Sequence, residues 1–215
     1  MDARYVAQGS ADWYKARLGK ATASNMGKIC ERIKPSAKNP NGYSARYKSY
    51  MRELLIERLT RLPAQHFVSA AMAWGEDAEE LAAKAYDEHN SVFTDACGFF
   101  DHPTIAGTGA SPDRLVGNDG VVEIKDPTTG THIDTLLDGT YDEDYRYQMA
   151  WEQECTTRKW VDFVSYDPRL PEELRYYQVR FIPEVELLDD MRAKVKTFLA
   201  ELDAMEAKVR AYEPN

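Results

Sequence analysis

The sequence predicts an α/β domain, and three observations carry that expectation. Val121-Val122-Glu123-Ile124-Lys125 and Trp160-Val161-Asp162-Phe163-Val164-Ser165-Tyr166 concentrate β-branched and aromatic residues in short runs, as strands do. Those runs alternate with stretches whose apolar residues recur at helical spacing. A last stripe, Leu188, Met191, Val195, Phe198, Leu202, Met205 and Val209, steps by three and four and predicts a long amphipathic helix opened by Pro183.

Each element has its own signal. Residues 8–19 read as a short helix with Ser10 as N-cap and Gly19 as the stop, and Trp13 and Arg17 share one face of it. Ser24 is the candidate cap of a helix over 25–32. Residues 33–43 hold two prolines, a glycine and two lysines and read as a loop. That composition suits contact with a polyanion, although a solvated loop is the commoner case. Residues 44–61 read as a helix with Leu54, Leu55, Ile56 and Leu59 inward. Residues 70–90 read as another, with an apolar arc of Trp74, Ala78, Leu81, Ala82, Ala85 and Tyr86 and a polar stripe through Glu76, Glu80, Lys84, Asp87 and Glu88. A strand-like run falls within 91–100, and the small residues of 105–110 allow close backbone approach. Asn118-Asp119-Gly120 is a hairpin signal. Pro127 ends the following strand. Helices are predicted over 131–137 and 141–157, the second with Met149 and Trp151 buried. Asp167-Pro168 turns the chain toward a strand over 176–182. No repeat divides the chain, and residues 1–215 are expected to form one domain.

Composition narrows the function classes. With 215 residues the chain can bury a substantial core. No apolar run is long enough to span a bilayer, and the N-terminal stretch lacks the apolar segment of a secretory signal. Cys30, Cys97 and Cys155 are widely spaced and odd in number, which argues against a disulfide framework, a zinc site or an iron–sulfur cluster. A reducing, cytoplasmic setting is the expectation. The chain carries 27 Lys and Arg against 36 Asp and Glu, a net charge of −9. That argues against coating nucleic acid with the whole surface. It is compatible with an enzyme whose acids gather around a metal and whose basic residues line one groove.

The densest chemistry lies in residues 111–125. Along the strand, Glu123 and Lys125 share one face and Val122 and Ile124 the other. The hairpin returns Asp113 to the side of Glu123. Two carboxylates so placed repel unless a cation lies between them, and Mg2+ suits oxygen donors that leave room for waters. Lys125 would then hold or help deprotonate a water, which makes a hydrolytic site for a phosphodiester. Glu79 departs from the polar stripe of its helix and projects to the margin of the apolar arc, where it needs a partner. That partner is a metal or its water, or else an Arg, a Lys or a backbone N–H. Tyr145 and Gln148, three apart, form an exposed pair that either meets a phosphate or the attacking water or is ordinary helix surface. Arg17 beside a helix start at Ser24 suits a phosphate; the bland alternative is two capped helices and a surface arginine.

Six blocks, Q-G-S-A-D-W-Y-K-A-R-L-G-K-A-T-A-S, A-W-G-E-D-A-E, S-P-D-R-L-V, V-E-I-K-D-P, Y-R-Y-Q-M and F-V-S-Y-D-P-R, together resemble the lambda-type phage exonucleases. These form the YqaJ-like viral recombinase and alkaline exonuclease branch of the PD-(D/E)xK nucleases. The blocks occur in the family's order and span residues 8–182. The resemblance implies a restriction-endonuclease-like PD-(D/E)xK core, a mixed central sheet flanked by helices. It implies Asp113, Glu123 and the Ile124 carbonyl as ligands of one or two Mg2+ ions, with Mn2+ as a substitute. Lys125 would be the catalytic lysine, and Glu79 would orient a water or hold a second ion. Gln148 and Tyr145 would stand beside the site, and Arg17, Ser24 and Ser111 would bind the 5′-phosphate of a DNA end. The implied activity is 5′-to-3′ digestion of one strand of linear duplex DNA to mononucleotides, leaving a 3′ overhang. A homotrimeric ring and a single-strand annealing recombinase of a phage or prophage system are the implied assembly and partner. One departure is Asp126, where relatives often carry Cys before the proline; if the strand persists it points away from Lys125. The competing expectations are an endonuclease using the same triplet and a non-catalytic DNA-end-binding recombination factor.

Overall fold

The computed structural model describes residues 2–63 and 70–213, with the side chains of residues 70–77 outside the description. The chain begins with helix α1 (Ala11–Arg17), capped by Ser10, whose hydroxyl accepts the Trp13 N–H. Strand β1 (Ala21–Thr22), helices α2 (Met26–Cys30), α3 (Ala45–Thr60) and α4 (Ala70–Asn90), and strands β2 (Thr94–Ala96), β3 (Phe100–Asp101) and β4 (Thr108–Ala110) follow. Next come β5 (Arg114–Val116), β6 (Gly120–Lys125), α5 (Thr129–Asp138), α6 (Glu143–Thr156), β7 (Trp160–Tyr166), β8 (Tyr176–Phe181) and α7 (Val185–Arg210).

The larger sheet runs β2-β5-β6-β7-β8, with β6 and β7 parallel and the other pairs antiparallel. A parallel pair needs a long crossover, and α5 and α6 supply it. This is the expected mixed sheet flanked by helices. Side-chain alternation fixes what meets each face. Val122, Ile124 and Val164 pack against Ala82, Ala83 and Tyr86 of α4. Val121, Val161 and Phe163 pack against Met149 of α6. Glu123 and Lys125 are in phase with Val121, so the pleat delivers them to α6.

The other side of α6 enters a helical core. Ala150 and Trp151 pack there with residues of α2, α3 and α7, among them Tyr50, Leu54, Met191, Val195 and Phe198. Trp151 donates its indole N–H to Thr108 Oγ1 at 2.9 Å, tying α6 to the small sheet β1-β4-β3. Within that sheet, β4 needs a glycine where β3 comes close. A Cβ on Gly109 would lie 2.3 Å from Phe99 Cζ and 2.4 Å from the Phe100 carbonyl oxygen.

Several local expectations are corrected. The hairpin forms, but Val116 pairs with Gly120 across the three residues 117–119, and Gly117 carries the positive φ of 49°. Ser24 does not cap a helix over 25–32. It lies inside a 3-10 turn, Ala23–Asn25, with its hydroxyl near Thr22 Oγ1 and Asn25 Nδ2, and α2 is only five residues long. Ile56 and Leu81 are exposed, because α3 and α4 touch the core through narrower strips centred on Tyr50 and Leu54 and on Ala82 and Tyr86. Met191, Val195, Phe198 and Leu202 are fully buried as predicted, whereas Met205 and Val209 run past the core. The side chains of Trp74 and Glu76 lie outside the described residues.

The packing at β4 gives a direct test. Gly109→Ala is expected to destabilise the fold by about 2 kcal/mol, the range of core overpacking, in urea denaturation; an unchanged midpoint would contradict the contact with Phe99 and Phe100.

Candidate active site

The β5–β6 register sets the centre of the site. Arg114 lies opposite Val122, so the antiparallel ladder extended by one residue sets Asp113 opposite Glu123. Asp113 Oδ2 accepts the Ile124 N–H at 2.7 Å, which holds its carboxyl over β6. Glu123 is 1% exposed. Its Oε1 accepts from both Lys125 Nζ and Gln148 Nε2, and its Oε2 has no hydrogen-bond partner. Lys125 Nζ also lies 3.5 Å from Gln148 Oε1 and 4.9 Å from the centre of the Tyr145 ring. The structure thus brings Asp113, Glu123, Lys125, Gln148 and Tyr145 together. Gln148 is buried against Glu123, not exposed as its helical position suggested.

Glu79 approaches from the α4 side. Its partner is Arg114, at 3.8 Å, and Arg114 is shared with Glu80. The arginine among the sequence alternatives is therefore the contact present. Arg114 is cross-strand partner to Val122 and shares its face, which places this pair across the sheet from Lys125.

The electrostatics follow from burial. Desolvation and the nearby Glu123 charge push Asp113 well above the usual carboxylate range. Burial raises Glu79 as well, against the pull of Arg114. Burial acts to lower Lys125, but Glu123 and Asp113 outweigh it and hold the ammonium more firmly protonated than a free lysine. The group is short of cations. Among the described residues no three His, Cys, Asp or Glu side chains form a ready metal cage. Mg2+ does not require one, since it keeps several waters and one or two carboxylates suffice. The buried, unpartnered Glu123 Oε2 beside Asp113 is the kind of acceptor that such an ion satisfies.

A second cluster lies at the end of α1. Trp13 Nε1 and Arg17 Nη1 both donate to Ser111 Oγ, each at 2.9 Å, and the guanidinium sits 4.2 Å from the indole ring centre. Arg17 has no ion pair among the described residues, and its burial lowers its pKa. A desolvated guanidinium with unused donors suits an oxyanion. Ser24 joins from the small sheet. Thr22 of β1 lies beside Gly109 of β4 in a parallel pair, so both strands lead, two residues on, to Ser24 and Ser111. No contact joins Ser24 to Arg17. A cavity of about 570 Å3, lined in part by Gln8, Trp13, Tyr14, Glu79 and Arg114, opens between α1 and α4.

The chain as a whole has counterparts of known family and fold. Residues 12–159 match the YqaJ-like viral recombinase domain. The chain belongs to the YqaJ-like viral recombinase family. The alkaline exonuclease LHK-Exo from Laribacter hongkongensis is 38% identical, with a TM-score of 0.84 over 94% of this chain and 96% of that one. A structure of LHK-Exo in complex with dAMP superposes with a TM-score of 0.85. A phage-related exonuclease from Haemophilus somnus 129PT, 17% identical over 91% of this chain and 99% of that one, shares the fold with a TM-score of 0.71. None of the curated proteins matches the sequence.

Two further acids of this YqaJ-like chain stand out. β6 ends at Lys125, yet Asp126 remains part of the acidic group: burial and then Glu79 raise it to about 7, and its Oδ1 is buried without a hydrogen-bond partner. Glu152, one turn beyond Gln148 on α6, is fully buried and was not among the sequence candidates. Burial, and then the Glu123 charge, push it well above the carboxylate range. The only local signal was its place next to Trp151, because one turn back Gln148 put it on the face read as exposed.

These shifts set a pH dependence. A carboxyl that holds its proton more tightly when folded favours the native state at low pH, and that advantage is lost as pH rises through its folded value. For Asp126, which faces Glu79, Lys125 and Asp167, the loss extends from the ordinary value of 3.8 to about 7. The metal-free protein is expected to melt at falling temperatures across this window, and Asp126→Asn to remove that residue's share of the fall between 3.8 and about 7. Millimolar Mg2+ should recover stability at the alkaline end. Melting curves that ignore both pH and Mg2+ would contradict this account of the acids.

Proposed function

We propose that this protein is a Mg2+-dependent exonuclease that digests one strand of linear duplex DNA from its 5′ end to mononucleotides and leaves a 3′ overhang. Family membership and the likeness to an alkaline exonuclease support a nuclease role. The observation that carries the reading is the Asp113–Glu123–Lys125 arrangement, with Gln148 closing it and a buried Glu123 oxygen left unpartnered. Asp113, Glu123 and the Ile124 carbonyl would hold Mg2+, which supplies Lewis acidity at the scissile phosphate when bound. Lys125, kept protonated by its two acids, orients the attacking water and offsets negative charge on the phosphoryl oxygens. Gln148 aligns that ammonium, and Tyr145 covers it. Glu79 would orient a water from the α4 side, in competition with its ion pair to Arg114.

The DNA end is met by the N-terminal part of the chain. Arg17, with Ser111 and Ser24, is the proposed 5′-phosphate pocket and sets which strand is cut. Although the whole chain is acidic, residues 1–63 carry 13 Lys and Arg against 5 Asp and Glu. Lys34, Lys38, Lys48 and Arg52 are exposed there and make no ion pair among the described residues. Free surface cations of this kind track a phosphate backbone. No helix among the described residues is long and apolar enough to cross a membrane. A homotrimeric ring and an annealing recombinase as partner, in the cytoplasm of a bacterial host, complete the proposal; family resemblance is what supports them.

Two experiments test this. Linear duplexes with a 5′-phosphate should be digested with Mg2+ and spared without it, and a covalently closed plasmid should stay intact. Cleavage of the plasmid would favour an endonuclease. Lys125→Ala should bind ends normally yet lose nearly all hydrolysis, and Arg17→Ala should weaken preference for a 5′-phosphate over a 5′-hydroxyl by about tenfold, the worth of one charge-assisted hydrogen bond. Near-normal turnover by the lysine variant would refute the assigned chemistry.

A further inference from the structure

Gln148 is held by a residue that no part of the proposed chemistry uses. Its Nε2 donates to Glu123 Oε1 and also to Glu152 Oε1, the latter at 2.9 Å, while its Oε1 faces Lys125 Nζ at 3.5 Å. A primary amide has two hydrogens on one side and two lone pairs on the other. Here both hydrogens go to carboxyl groups, so the carbonyl is turned to the ammonium. The flipped amide would set its oxygen against two carboxyls and its hydrogens against a cation. Glu123 alone is a poor anchor, because its oxygens are the ones a cation would take. Glu152 stays behind it, at 0% exposure, on the rigid turn that carries Gln148 itself.

We infer that Glu152 is a positioning residue, which fixes the Gln148 amide so that its carbonyl meets Lys125 and the attacking water. This deepens the nuclease reading and rests on it. The side chain acts as an acceptor, so glutamine should replace it and leucine should not. Purified, folded variants separate the two. Glu152→Gln should keep kcat within about twofold. Glu152→Leu should lower kcat about tenfold or more, the scale of one misplaced polar group, with little change in KM for 5′-phosphorylated duplex ends. In a Gln148→Ala background the same leucine substitution should add less than about twofold, since coupled residues are non-additive.

A second readout needs neither metal nor DNA. The chain has five glutamines, and the side-chain amide signals of Gln148 in a 15N-labelled sample are identified by their loss in Gln148→Ala. They should move on Glu152→Leu and stay nearly in place on Glu152→Gln. Unchanged amide signals in the leucine variant, or an equal loss of kcat with and without Gln148, would overturn the inference. A wild-type protein that cuts no DNA would overturn the nuclease reading, while the amide shifts still report whether Glu152 holds Gln148. Should the leucine variant fail to fold, Glu152→Met, which also lacks the acceptor, carries the same expectations.

Discussion

Glu123 is buried almost completely, and its charge has to be met from inside the fold. A carboxylate in such surroundings is unfavourable unless opposite charge and hydrogen-bond donors surround it. Lys125 and Gln148 supply part of what is needed at one oxygen. The other oxygen is left over, and Asp113 and Glu152 add to the negative charge near it. Within the protein alone the balance can be restored only by protons, which is why burial and the nearby Glu123 charge raise Asp113 and Glu152 together. A divalent cation restores it with the acids ionised. On the proposed reading, Mg2+ would take the place of those protons, and the unfavourable electrostatics of the metal-free state would favour the exchange.

The fold makes this group possible through the placement of α6. One face of that helix lies on the sheet through Met149 and the other enters the helical core through Ala150 and Trp151. A helix packed on two sides has little freedom to shift. Gln148 and Glu152 lie one turn apart on it, and the strand pleat brings Glu123 and Lys125 up to meet them. The parallel pairing of β6 with β7 requires the crossover in which α6 is found. Topology and site are thus tied by a single connection: the segment that completes the sheet also supplies the residues that close over its acids.

Much of this was legible in the sequence where the signal was local. Strand alternation placed Glu123 and Lys125 on one face, the hairpin returned Asp113, and the final helix followed its apolar stripe to Leu202. Readings that depended on tertiary contacts went astray. Ser24 looks like a cap, but the parallel pairing of β1 with β4 pulls the chain into a 3-10 turn there. Gln148 looks exposed from helical position alone, because nothing in its neighbourhood announces that Glu123 will be buried beneath it. The partner of Glu79 was undecidable from spacing, since Arg114 reaches it from a strand 35 positions away in sequence. Glu152 was passed over because an acid among aromatic residues reads as surface until the second packed face of the helix is known.

Charge is also divided along the chain in a way that the net value of −9 conceals. Beyond α4, the cations Arg146, Lys159, Arg169, Arg180, Arg192 and Lys194 are each engaged by a neighbouring acid. Apart from those on the buried Asp162 and Asp167, such pairs contribute little to stability, but they cancel local potential, so this part of the molecule presents a negative or neutral surface. Lys48 and Arg52 of α3, and Lys34 and Lys38 of the loop before it, make no such pair among the described residues, whereas Arg46 and Arg58 of α3 do. A polyanion is thereby favoured at Lys34, Lys38, Lys48 and Arg52 over the acidic remainder, and in the proposed function Arg17 would meet its terminal phosphate. On the proposed reading, this division of charge would orient a duplex toward the N-terminal part of the chain.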